Sequence, residues 1–495
     1  MRPSADRVRE AAAVRPSPRQ IAWQEREFYG FLHVGMNTMT DREWGTGAED
    51  PAWFDPRELY AGQWMAALRA AGMRGVVLTA KHHDGFCLWP SRFSRHTVAA
   101  SPWRGGRGDL VREVADAAAE HGLAFGVYLS PWDRSAPTYG QGRAYDDVFV
   151  GQLTELLSGY GSVAEVWFDG ACGEGPNGRR QVYDWERYYA VVRRLQPDAV
   201  IAVCGPDVRW CGNEAGHTRA DEWSVVPGSL RDAVRVQERS QQSEGSGFAR
   251  LVRSDDEDLG SRSALAQTEE PLVWYPAEVN TSIRPGWYHH PAEDDQVRSA
   301  DELFAIYRRS VGGNATLLLN VPPDRRGLVA EPDMAVLREL GQRIRGLRGR
   351  DVARQATLAW SSGSVDPAVL LDLSLRSGAW RPDPRDAQPS VTLRWPAPVT
   401  VDGVVLRELV TEGQVVEEVA VTGVTPGGER RVLGRFGTVG YQRIVDLDPV
   451  TVTSLSVTVT RSRGPVALCG LAVLGAQPAI PLSKGFAEAE SSRSW

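Results

Sequence analysis

Residues 109–130 read DLVREVADAAAEHGLAFGVYLS, a helical run followed at once by a β-rich one. Within Asp109–His121, Leu110, Val111, Val114, Ala117 and Ala118 recur at helical spacing and form one apolar stripe. Ala124–Ser130 is β-rich and ends in the polar pair Tyr128 and Ser130. The same alternation extends outward in both directions. Phe28–Gly35, Gly75–His83, Ala164–Gly170, Ala199–Gly205, Leu272–Asn280 and Thr316–Pro322 are further strand candidates, with a short one near Trp223–Val226. Helical stretches at Pro56–Ala71, Asp146–Leu157 and Asp184–Leu195 fall between them.

Strand–helix alternation of this kind calls for a parallel sheet. About eight strands between residues 21 and 345 call for a closed α/β fold, a (β/α)8-like barrel of TIM type. An open doubly wound sheet is the rival. The one GxGxxG match is GEGPNG at Gly173–Gly178, which follows a middle strand and leads into Pro176, Asn177 and a polar GRRQ. That context reads as a loop, so the match carries no dinucleotide site.

After Gly346 the pattern changes. Ser390–Trp395, Val404–Glu408, Glu417–Thr422, Arg431–Gly434, Thr451–Val459 and Val466–Val473 cluster β-branched residues between Gly, Pro and Asp, the signature of an all-β sandwich. The expected organisation is a polar N-terminal arm over 1–20, the catalytic barrel over 21–345, the sandwich over 350–477 and a polar C-terminal tail over 478–495.

Composition narrows the function classes. With 56 basic and 63 acidic residues the net charge is −7, which offers no basic surface for nucleic acid. No apolar run is long enough to span a membrane. The 5 cysteines are odd in number, dispersed and without a CxxC, and read as reduced thiols. The N-terminal stretch carries both charge signs without an apolar centre, unlike a secretory signal. The sequence as it stands therefore predicts the cytoplasm, with secretion or the periplasm expected if a leader has been removed. Among the 17 Trp, those between Trp23 and Trp103 serve core packing or a sugar-facing surface equally well.

Ionisable and polar residues recur where β runs end: His33, the pair His82–His83, Tyr128, Ser130 and Asp169. The C-terminal ends of barrel strands converge on one mouth, so these side chains are expected to share a pocket. Asp169, in EVWFDGA, follows an apolar strand and precedes a glycine. A carboxylate there is costly to bury unless it is paired or used. A partner acid is available among Asp207, Glu214, Asp221 and Glu222, and spacing alone leaves Asp207 nearly equal to Glu214. The adjacent His82 and His83 would point in opposed directions along a strand, unlike the ligands of HExxH, so no metal or other cofactor is called for.

EFYGFLHVGMNTMTDREWG, KHHDGFCLWPS, GDLVREVADAAAEHGLAFGVYLSPWDR, EVWFDGA, the GNE at Gly212–Glu214, SIRPGWYHHPAED and LLLNVPPDRRG stand in one order over about residues 20–345. Together they resemble glycoside hydrolase family 29, the alpha-L-fucosidases, and the GNE block and appended sandwich resemble the branch that prefers α-1,3/1,4-linked fucose. The resemblance implies a retaining, exo-acting enzyme on fucosylated oligosaccharides or glycoconjugates. It implies Asp169 as nucleophile, Glu214 as acid/base, and His33, Glu43, Trp44, His82, His83, Tyr128, Trp167 and Trp287 around the sugar. Val34 departs from the family's usual Phe or Trp before Gly35. The C-terminal region resembles discoidin-like sandwiches, for which support of the barrel is favoured over glycan binding. Another exo-glycosidase on a 6-deoxy or galacto-configured sugar, and an inactive glycan-binding protein, are the alternatives.

Overall fold

The structure, a computed structural model, describes residues 5–239, 258–373 and 378–476. Ten strands precede residue 330: β1 (Phe28–Leu32), β2 (Gly75–Lys81), β3 (Ala124–Leu129), β4 (Glu165–Phe168), β5 (Val200–Val203), β6 (Arg209–Trp210), β7 (Val225–Pro227), β8 (Leu272–Trp274), β9 (Ala277–Ser282) and β10 (Ala315–Asn320). Eight of them pair in parallel in the order β5-β4-β3-β2-β1-β10-β9-β6, and a parallel bridge between Ala202 and Val208 nearly closes the ring. The result is a TIM-like barrel.

The period of 2 along each strand separates two cores. Phe28, Leu32, Val76, Leu78, Val127, Val166, Phe168, Ile201, Val279, Leu317 and Leu319 face outward into the layer beneath the helices. Tyr29, Phe31, Val77, Tyr128, Trp167, Val200, Ala202 and Leu318 pack inside the ring. The inward set on β4 is Glu165 then Trp167, and the next step upward is Asp169. On β1 the corresponding series is Tyr29, Phe31 and His33. Sequence alternation thus aims the strand-end residues at the mouth.

The strand count is as expected, but two assignments change. Leu272–Asn280 is two strands, because Pro276 has no N–H to give to a ladder; its carbonyl accepts from Arg209 N at 2.9 Å. β8 pairs antiparallel with β7 outside the barrel. The missing barrel strand is β6, which follows β5 after a short turn without a helix between them.

The C-terminal body is antiparallel: β11 (Thr357–Trp360), β12 (Ser390–Glu408), β13 (Val416–Val424), β14 (Arg430–Phe436), β15 (Arg443–Ser462) and β16 (Leu468–Gly475). Register shifts between Arg394 and Val399 and between Val401 and Gly403 let β12 change direction. Its first half lies between β11 and β15, its second between β15 and β16. The sheet thereby folds into a β-sandwich over Val391, Leu393, Val404, Leu406, Val421, Leu455 and Val473. Residues Ala5–Ala13 and Pro18–Gln24 of the N-terminal arm are helical, the second capped reciprocally by Ser17 and Gln20. The tail over 478–495 lies outside the described residues.

Candidate active site

A cavity of about 180 Å³ opens at the C-terminal mouth of the barrel. Asp169, Glu214, His33, Trp44, His82, His83, Tyr128, Trp167 and Trp287 all line it. Residues separated by more than 250 positions are brought together by successive strand ends.

Asp169 stands one residue beyond β4 at the wall of the cavity. The Tyr128 hydroxyl donates to its Oδ2 at 2.8 Å, and the Ala171 N–H donates to Oδ1 at 2.8 Å. Both bonds orient the carboxylate and leave it facing the cavity. His83 Nε2 lies 4.0 Å from Oδ2.

Glu214 comes from the loop after β6. Gly212 takes φ 100°, a left-handed conformation that glycine adopts without cost. The Asn213 amide then accepts from Ala215 N and His217 N, both at 3.1 Å, and donates to His217 O at 3.0 Å. This tight turn projects Glu214 into the cavity, where Trp287 Nε1 donates to its Oε2 at 3.3 Å. The other three candidate acids are committed elsewhere. Asp207 is held by Arg193, and the Ile201 N–H donates to it at 2.8 Å. Glu222 is buried between Arg209 and Arg219, and Asp221 accepts from Thr438 N of the sandwich. None of the three lines the cavity. Geometry therefore separates Glu214 from Asp207, which spacing could not do.

His82 and His83 depart from the opposed arrangement that sequence suggested. β2 ends at Lys81, so strand alternation no longer governs them, and both rings face the cavity with centroids 4.0 Å apart. Burial lowers His33 and His83 to about 4 and holds His82 well below the usual histidine range. All three rings are neutral near pH 7. The tautomers of two follow from their neighbours. Asn320 Nδ2 donates to Trp287 O and to Ser282 Oγ, so its Oδ1 accepts the Nδ1–H of His33 at 2.8 Å. The Ser130 hydroxyl donates to Trp132 O and accepts the Nδ1–H of His83 at 2.8 Å. Each ring then keeps an Nε2 lone pair to receive a hydroxyl proton.

Of the residues expected at the pocket, Ser130 is buried in hydrogen-bond contact with His83, and Glu43 too lies outside the cavity lining. Its carboxylate accepts from Trp287 N at 2.9 Å, Tyr288 N at 3.0 Å and His290 Nε2 at 2.8 Å. It clamps the loop that carries Trp287. A Cβ at Gly286 would come within 2.5 Å of Glu43 Oε1, so a side chain there would displace this carboxylate.

Phe31, Trp132, Cys172, Arg180, Trp210 and Asn280 also line the cavity and were not singled out from sequence. Asn280 had a signal, as a polar residue on the inward parity of β9. Trp210 had none, since β6 is too short for a periodic pattern. Val203, at the end of β5, takes φ 66°, a strained conformation for a β-branched residue at the cavity wall. Among the described residues, no cluster of three or more His, Cys, Asp or Glu is arranged to hold a metal ion. The five cysteines are buried and unbridged.

Residues 48–346 match the family model described as Alpha-L-fucosidase. The chain is 37% identical over 457 residues to Alpha-L-fucosidase 1 of Arabidopsis thaliana, covering 90% of this chain and 85% of the relative. A solved glycoside hydrolase 29 family member from an unknown rumen bacterium superposes with a TM-score of 0.77 at 33% identity, covering 95% of this chain and 78% of that one. A Ruminococcus gnavus GH29 fucosidase, solved in complex with fucose, gives a TM-score of 0.81 at 25% identity, covering 94% and 95%.

Proposed function

The chain belongs to the alpha-L-fucosidase family and is a glycosidase of that class, and from this premise we propose that it is an exo-acting, retaining enzyme that releases α-1,3/1,4-linked L-fucose from branched oligosaccharides or glycoconjugates. The observation that carries the reading is the cavity shared by Asp169 and Glu214, one carboxylate oriented from β4 and the other carried in on a pinned loop. Two carboxyl groups bordering one sugar-sized space supply the nucleophile and the acid/base that double displacement needs.

Asp169 attacks the anomeric carbon and forms a glycosyl ester while Glu214 gives its proton to the departing glycosidic oxygen. Glu214, now a carboxylate, takes a proton from water. The hydroxide equivalent attacks the same carbon, releasing fucose and regenerating Asp169. The neutral imidazoles of His33 and His83 offer acceptors to the sugar hydroxyls. Trp44, Trp167 and Trp287 supply flat faces for the methyl and C–H surface. The cavity is a pocket with room for one terminal sugar, which supports exo action.

The linkage preference is supported by the GNE turn that presents Glu214, together with the appended sandwich. The test is hydrolysis of Lewis-type trisaccharides beside a 2-linked fucoside, with the anomer of the first-formed fucose followed by NMR. Release of α-fucose from the trisaccharides and slow cleavage of the 2-linked compound are expected. β-Fucose as the first product would overturn retention, and faster turnover of the 2-linked fucoside would overturn the preference.

A further inference from the structure

Beneath the cavity, in the barrel interior, lie two fully buried carboxyl groups that the mechanism does not use: Glu165 of β4 and Glu278 of β9. Their carboxyl groups meet at the Tyr29 hydroxyl. Tyr29 of β1 donates to Glu278 in a short contact and lies 3.3 Å from Glu165 Oε1. Trp23 Nε1 donates to the Tyr29 oxygen at 3.0 Å, and Arg26 reaches Glu165 Oε2 at 3.1 Å. The remaining donor is Trp167, whose Nε1–H meets Glu278 Oε1 at 2.8 Å.

Two buried carboxylates in contact, with one arginine beside them, cannot both remain ionised. Arg26 lies beside Glu165, yet burial and the neighbouring Glu278 still push Glu165 well above the usual carboxylate range, whereas Glu278 receives both Trp167 and Tyr29 as donors, so Glu278 is the member that carries the charge. Glu165 then supplies the third donor as a neutral acid. The indole of Trp167 is pinned at one end by this anion while its face lines the sugar cavity. Its ring also packs 5.3 Å from that of Tyr128, the residue that orients Asp169.

We propose that Glu278 is a positioning residue for the sugar site: its carboxylate fixes the Trp167 indole beneath the sugar, and Glu165 keeps the proton that joins the pair. This rests on the reading of the cavity as the fucose site. Turnover of a fucoside by the wild-type protein reports on that reading, whereas the following cycle reports on Glu278 alone.

L-Fucose affinity is measured by calorimetry for wild type, Glu278→Gln, Trp167→Phe and the double variant. An amide at 278 has one acceptor oxygen for three donors, so Glu278→Gln is expected to raise the dissociation constant about fivefold. In the Trp167→Phe background the same change should add less than about twofold, because the residue it acts through is gone. Glu165→Gln, whose amide can donate where the carboxylic acid did, should stay within about twofold of wild type. Equal factors for Glu278→Gln in both backgrounds, or no change in either, would overturn the positioning role. A loss for Glu165→Gln matching that of Glu278→Gln would overturn the proton assignment. If Glu278→Gln does not fold, Glu278→Asp serves in the same cycle, since it keeps the charge but withdraws it from the indole.

Discussion

At the residue scale, the nucleophile and acid/base roles proposed for Asp169 and Glu214 differ, and substitutions should separate them. Asp169→Ala removes the attacking atom. Turnover should fall by on the order of 10³-fold or more on every fucoside, with the thermal midpoint little changed. Glu214→Ala removes a proton donor, which matters only where the leaving group needs one. A loss of about 10²–10⁴-fold on natural glycosides and a much smaller one on fucosides with good leaving groups is expected. Equal losses on both would remove Glu214 from the acid role. The place of Asp169 at the cavity was legible in sequence because a carboxylate after Val166-Trp167-Phe168 is costly to bury unless it is paired or used. Glu214 was not separable from Asp207 by spacing, since the ion pair that occupies Asp207 reaches across from Arg193 on another element. The buried histidines add a pH signature. With His33 and His83 lowered from 6.5 to about 4, their protons are bound in the unfolded chain before the folded one. Their contribution to stability is therefore present above pH 6.5 and is lost as pH falls through 4. L-Fucose affinity should stay level from pH 8 to about 5.5 and drop only below that, as these acceptors protonate. A midpoint near 6.5 would show that the rings are not desolvated.

At the scale of elements, the long, strongly patterned units were readable and the short ones were not. Asp109–His121 and Gly75–His83 carry their periodicity over many residues, and the helix and strand formed there differ from expectation at the ends alone. β6 is two residues in a loop rich in Gly, Pro and Cys, held by its pairing with β9 rather than by propensity. The loop of residues 283–290 shows the same dependence on partners: its shape comes from Glu43, 240 or more positions earlier in the chain. Glu43→Gln would weaken two backbone bonds and the ion pair to His290. It is expected to lower stability by about 1–2 kcal/mol and to raise KM more than it lowers kcat, because Trp287 loses its fixed position. His290 provides the check. The Glu43 carboxylate, joined by Asp41, raises it from 6.5 to about 9. The stabilisation it gives is complete below pH 6.5 and disappears as pH rises through 9. The difference in thermal midpoint between wild type and His290→Gln should shrink over that window, and a constant difference would mean that the ion pair does not hold the loop.

At the scale of the whole molecule, the division into an α/β barrel and an all-β sandwich follows from the change in pattern after Gly346, but the way they join was invisible to it. Glu27, just before β1, is buried and pairs with Arg407 of β12 at 2.6 Å, while the Tyr441 hydroxyl donates to it at 3.1 Å. Asn314 accepts from Tyr441 N at 2.7 Å, and Ser224 N donates to Gln414 at 2.8 Å. Arg463 lies 3.8 Å from the Trp223 ring centroid and donates to Glu417. Such contacts are unsigned in sequence because each residue alone reads as an ordinary polar, charged or aromatic side chain, and its partner lies far away in the chain. They tie the sandwich to the barrel. Among the described residues its exposed large hydrophobic side chain is Val432. Arg407→Ala would leave Glu27 buried beside the partly exposed Arg74 at 3.2 Å and the neutral Tyr441 hydroxyl. Breaking one side of a buried pair typically costs about 3–5 kcal/mol, and Arg74 should reduce that to roughly 2–4 kcal/mol. Because the interface is part of both cores, wild-type protein should unfold in one calorimetric transition, and Arg407→Ala should shift that transition downward as a whole. Two separate transitions in the wild-type protein, or a variant in which only the sandwich melts earlier, would show that the bodies fold independently. The barrel would then hold its active site without the sandwich.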